Sequence, residues 1–68
     1  MVYPNLKAEM ARKGLTVEGL SLVSGISFST LSSKLNGKRK MTYSEAVKIK
    51  QALNVDIPLE VLFTEKVM

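Results

Sequence analysis

The 68-residue chain contains no cysteine and no histidine. Without cysteine, neither disulfides nor thiolate metal ligation can support the fold, and thiols indicate no redox compartment. Without histidine, the commonest general base and the commonest metal ligand are both missing. Ser24 and Ser33 have lysines in the same chain but no orienting group or oxyanion arrangement, so a Ser-Lys nucleophile is not expected either. No enzymatic activity, metal, cofactor or small-molecule substrate is implied. Long hydrophobic runs are also lacking. The N-terminus does not carry the apolar core of a signal peptide, and no run approaches the ~20 residues needed to span a bilayer. A soluble, cytoplasmic protein without a membrane partner is expected. Aromatic residues are limited to Tyr3, Phe28, Tyr43 and Phe63, few for a reader of single-stranded RNA that works by stacking.

Acidic residues are scarce. Six Asp and Glu stand against ten Lys and Arg, giving a net charge of +4, and this balance favours anionic partners. The distribution sharpens the point. Lys34, Lys38, Arg39, Lys40, Lys48 and Lys50 face only Glu45 between residues 34 and 50, whereas Asp56, Glu60 and Glu65 outnumber Lys66 after residue 55. At this length the chain forms one small domain over residues 1–68, with a core of about 5–63, burying ~60% of the surface exposed on unfolding.

The pattern predicts an all-α fold of five helices. The first runs from about Pro4 to Lys13: proline suits an early helical position, Leu6 and Met10 share a face, and Arg12 and Lys13 complement the carboxyl end before Gly14. Leu15 is expected to point inward with them. Thr16 is placed to cap the second, Val17 to about Ser24, with Leu20 and Val23 as core positions. Gly19 weakens this helix by roughly 1 kcal/mol relative to alanine, so it depends on tertiary contacts. Thr42, Tyr43, Ser44 and Glu45 form a Thr-x-x-Glu capping box ahead of a helix ending near Asn54, with Ala46, Val47, Ile49 and Leu53 as apolar positions. Asp56 is expected to cap a short last helix from Ile57 or Pro58 to Phe63, with Leu59, Leu62 and Phe63 closing the base of the core.

The third helix is the informative one. The stretch GISFSTLSSKLNG, Gly25 to Gly37, reads as a tight turn at Gly25, an N-cap at Ser27, about two helical turns and a glycine stop. Leu31 and Leu35, four apart, are expected to face inward, and Ser29, Thr30, Ser32, Ser33 and Lys34 outward. This outer face is small and polar, able to lie against a hydrogen-bonding surface. Lys38, Arg39 and Lys40 follow directly, in a loop suited to phosphate oxygens. Phe28 is open to two readings: packed against the second helix, or exposed toward a groove.

The second helix, a short turn on Gly25 and the third helix form a helix-turn-helix over about residues 16–36. Gly14-Leu15-Thr16, Leu20, Gly25-Ile26-Ser27, Ser29-Thr30-Leu31-Ser32, Asn36-Gly37-Lys38-Arg39 and Ala52-Leu53-Asn54-Val55 fall at the spacings of the phage repressor and Cro-like, or XRE, family. The chain resembles that family from about Asn5 to Phe63. The resemblance implies a compact five-helix lambda-repressor-like domain whose third helix enters the major groove of double-stranded DNA. It implies base contacts at Phe28, Ser29, Thr30, Ser33 and Lys34, and phosphate contacts at Thr16, Val17, Asn36, Lys38, Arg39, Lys40 and Tyr43. It also implies weak homodimers on near-palindromic operators, with contacts along Val61 to Met68, and a bacterial nucleoid or phage origin.

Two departures from the family pattern bear on recognition. Val17 and Phe28 occupy positions where many relatives carry glutamines that join a phosphate contact to a base contact. Phe28 can instead pack on thymine methyl groups, favouring A·T pairs. Met10 and Leu35 replace an arginine and glutamate that pair internally in some relatives, and a packed apolar pair is a physically coherent substitute. The expected function is that of a sequence-specific transcriptional regulator of repressor or Cro type. The alternative is a helix-turn-helix used as a protein-interaction module, antirepressor or antitoxin-like, with Phe28 and Val17 as its apolar patch.

Overall fold

The computed structural model describes residues 1–65 and consists of helices α1 (Pro4–Lys13), α2 (Val17–Ser24), α3 (Phe28–Leu35), α4 (Tyr43–Leu53) and α5 (Leu59–Leu62). Among the described residues there is no strand. Helix α2 packs against α3 and α4, α4 also against α1 and α5, and α1 against α5. Leu6, Met10, Leu20, Ile26, Leu31, Leu35, Ile49, Leu53 and Leu62 form a common core. Val67 and Met68, expected to contribute to a dimer contact, lie outside the described residues.

Local chemistry accounts for most of the helix ends. The Thr16 hydroxyl accepts the Gly19 N–H at 3.1 Å, capping α2. At α4 the Thr42 hydroxyl accepts the Glu45 N–H, and the Glu45 carboxylate accepts the Thr42 N–H at 3.0 Å, completing the capping box. Asn54 ends α4 in the left-handed region, at φ 55°. Met10 and Leu35 are both buried, as expected of an apolar replacement for an internal ion pair.

Four local expectations are corrected. Val23 is 56% exposed, because the buried stripe of α2 runs through Val17, Leu20, Ser21 and Ser24 and leaves Val23 off its edge. Ser27 occupies the N-cap position of α3, but its side chain makes no capping hydrogen bond. Asp56 does not cap α5. Pro58 holds an extended conformation, with ψ of 146°, and its carbonyl receives the Val61 and Leu62 N–H groups, so the helix begins only at Leu59. Lys34, expected outward, is buried between Leu31 and Leu35.

Tyr3 is a core residue whose burial had no sequence signal of its own. Its ring meets Phe63 edge to face, with centroids 5.4 Å apart, and so joins the start of α1 to the end of α5. The Asn5 amide reinforces this junction by donating to the Val61 carbonyl at 2.8 Å.

Candidate nucleic-acid interface

The turn between α2 and α3 sets the angle at which α3 is presented. Gly25 adopts φ 77°, a conformation that L side chains rarely take, and its N–H bonds the Ser21 carbonyl at 3.0 Å. The Ser21 hydroxyl donates to the Ile26 carbonyl, and the Ile26 N–H reaches the Ser24 hydroxyl at 3.3 Å. Ile26 is buried behind this turn. Serines at 21 and 24 thus act as local backbone ties on the inner edge of α2 rather than as contact groups.

With Leu31 and Leu35 pinned in the core, Phe28 and Ser29 are exposed, and Thr30, Ser32 and Ser33 are half-buried. Ser29 and Ser33 are four residues apart, so one side of α3 presents two hydroxyls able both to donate and to accept. Phe28 is half exposed and lines a groove with Glu18, Ser21 and Leu22. Its ring thus stays open to solvent beside the outer surface of α2.

Lys34 is the residue the structure removes from this face. Its ammonium is paired with the Glu45 carboxylate, and only 8% of its side chain is accessible. The physical reason lies in the helical period: position 34 follows Leu31 by three residues and flanks Leu35, which puts it on the inward side. The same carboxylate is held at about pKa 2, chiefly by the Lys34 hydrogen bond, against the opposing effect of burial and with further help from Thr42. It stays ionised throughout the physiological range.

The end of α3 is equally well defined. Gly37, at φ 79°, lets its own N–H bond the Lys34 carbonyl and the Lys38 N–H bond the Ser33 carbonyl, at 3.2 and 2.9 Å. The chain start lies across this point: the Val2 N–H donates to the Leu35 carbonyl at 2.9 Å. A β-carbon on Gly37 would come within 2.9 Å of Val2 Cγ1. Sequence reading finds Gly37 as a helix stop but gives no sign of Val2 beside it.

Lys38, Arg39 and Lys40 are exposed, and none is in an ion pair among the described residues. They border one groove of about 390 Å³ together with Val2, Tyr3, Met41 and Glu65. Glu18 and Glu45 are the only acids between Met10 and Val55, and Glu45 is already neutralised by Lys34. Glu65 reaches the groove from the far end of the chain, so the three cations of the loop face one carboxylate there and the local balance stays positive.

The other phosphate candidates are distributed differently. Thr16 is exposed at the start of α2, where its oxygen accepts a backbone hydrogen bond and its own proton is free to donate. The unsatisfied N–H groups of that helix end suit an anion. Val17 is half-buried and packs against the core, so it offers backbone and a little apolar surface. Asn36 is exposed at the end of α3, within 3.5 Å of the Ser32 hydroxyl. Tyr43 is 77% exposed, but it borders a separate groove with Val47 and Lys50 rather than the Lys38–Lys40 groove.

A helix, a tight turn and a second helix that exposes hydroxyls beside a cationic loop define a DNA-binding helix-turn-helix regulator. A helix-turn-helix family profile matches residues 6–59, and the chain belongs to that family, as the XRE and Cro-like resemblance led one to expect. Comparison with curated proteins and with solved structures gave no match. No helix among the described residues is long and apolar enough to cross a membrane.

Proposed function

We propose that the protein is a sequence-specific transcriptional regulator of the phage repressor or Cro type, which occupies operator DNA and excludes polymerase. Helix α3 lies in the major groove, with Phe28, Ser29, Thr30 and Ser33 nearest the base edges. Lys38, Arg39 and Lys40 hold phosphates on one side, and Thr16 with the start of α2 does so on the other. The single observation that carries this reading is that α3, exposed at Phe28 and Ser29, runs directly into a loop of exposed cations that have no ion-pair partner among the described residues. Serines and a phenylalanine make fewer bidentate contacts than glutamine or arginine, so base preference is expected to be moderate and biased toward A·T pairs at Phe28. Weak homodimers on two half-sites complete the proposal.

Gel-shift titration of duplex DNA tests it. Affinity should fall steeply with salt, and replacing Lys38 by alanine should lower the slope of log K against log salt by about 1. Salt-independent retention would contradict the mechanism.

One observation supports a second reading. Leu22 is 85% exposed and Val23 56%, and with Phe28 they give α2 and the start of α3 an apolar exterior. On that reading the fold serves as an interaction module for a protein, antirepressor or antitoxin-like. The double charge reversal Lys38→Glu with Arg39→Glu separates the two. Loss of DNA retention with any protein partner still bound supports the DNA reading, and the reverse supports the module.

A further inference from the structure

A lysine on the core side of a recognition helix has no packing explanation. A leucine or methionine would fill the same space without the penalty of taking an ammonium out of water. The Lys34 charge is tolerated because the Glu45 carboxylate meets it. One oxygen of that carboxylate, Oε1, gathers Lys34 Nζ, the Thr42 N–H at 3.0 Å and the Thr42 hydroxyl at 2.7 Å. Lys34 belongs to the last turn of α3, and Thr42 is the N-cap of α4. The loop between these two elements, Gly37 to Met41, includes Lys38, Arg39 and Lys40. Their near end is fixed by the Lys38 N–H on the Ser33 carbonyl and by Val2 against Gly37. Their far end is fixed where Thr42 meets Glu45.

We propose that Lys34 is a positioning residue: its ion pair with Glu45 clamps the end of α3 to the start of α4 and so holds the cationic loop ready for phosphates. The proposal rests on the DNA reading above and adds a role for a residue that does not itself reach DNA. A loop ordered before binding spares the cost of immobilising long side chains on the duplex, and that saving is what the clamp contributes to affinity. The clamp also explains why the charge is retained within a core face. An apolar residue there would pack equally well and leave the far end of the loop held only by the capping box.

The test compares the wild type with Lys34→Met, which keeps the apolar volume, and Lys34→Arg, which keeps the charge. Thermal unfolding confirms that each variant folds. In the absence of DNA, 15N order parameters over residues 37–41 should fall in Lys34→Met from about 0.85 toward 0.6 and recover in Lys34→Arg. On duplex DNA, Lys34→Met should bind about tenfold more weakly with an unchanged salt slope, because the same phosphates are still neutralised. Rigid order parameters in Lys34→Met would overturn the clamp. A salt slope reduced by about 1 would also overturn it, since Lys34 would then be a phosphate contact. Should Lys34→Met fail to fold, Glu45→Gln breaks the same pair and keeps an acceptor for the capping box, with the same loosening expected. Failure of the wild type to bind any duplex would refute the DNA reading alone, and the order parameters would still decide the clamp.

Discussion

Gly37 carries a constraint that Gly25 does not share. Both adopt positive φ, but a β-carbon on Gly25 would meet nothing within 4 Å, whereas on Gly37 it would strike Val2. Gly25→Ala should therefore cost about 1 kcal/mol through backbone strain alone. Gly37→Ala should cost more, about 2 kcal/mol, or roughly 10 °C in Tm for a domain of this size. Thermal unfolding of the two variants checks the difference, and equal losses would show that the chain start does not lie on Gly37. Glu45 makes a second prediction, on pH. Its folded pKa of about 2 lies below the ordinary 4.5, so its contribution to stability is complete above pH 4.5 and is lost as pH falls through 2. Urea unfolding of wild type and Glu45→Gln should differ most near pH 6 and converge toward pH 2. A gap independent of pH would contradict the ion pair. Lys34 also shows where sequence reading stops. The period that buries Leu31 and Leu35 places residue 34 inward too, but a lysine is ordinarily assigned to solvent until its partner is seen, and Glu45 is eleven residues away.

Elements were legible in the sequence where their ends are made by short-range chemistry. Pro4, Thr16, Gly25, the Thr42–Glu45 box and Asn54 each act within four residues, and α1 to α4 start and stop where those residues predict. Removing one should have a local cost: Thr42→Ala should destabilise the fold by about 1 kcal/mol, measured by urea unfolding, through the lost cap of α4. No change in stability would mean that the cap is dispensable. Reading was weaker where tertiary packing decides. The stripe of α2 was obscured because serines occupy two of its inner positions, which made Val23 look more apolar than its neighbours and hence interior. Helix α5 is shorter than predicted because the backbone of Pro58, rather than the side chain of Asp56, starts it. The site followed the same division. The hydroxyl-rich side of α3 and the cationic loop were visible as a local run, whereas the Val2 and Lys34 contacts beside them join distant parts of the chain.

The whole molecule combines a small core with a charge distribution in which the excess cations lie around the end of α3 and along α4. Net charge alone would favour any polyanion. On the proposed reading the added element is the orientation of α3, with Leu31 and Leu35 held by the core and Ser29 exposed, which would separate a reader of base edges from a general binder of phosphates. Selection of bound sites from random duplex DNA measures that separation directly. Wild type should enrich a common sequence, and the double variant Ser29→Ala with Ser33→Ala should still bind DNA but lose or change that preference. No enrichment by the wild type, or the same enriched sequence from both proteins, would contradict a reading role for α3.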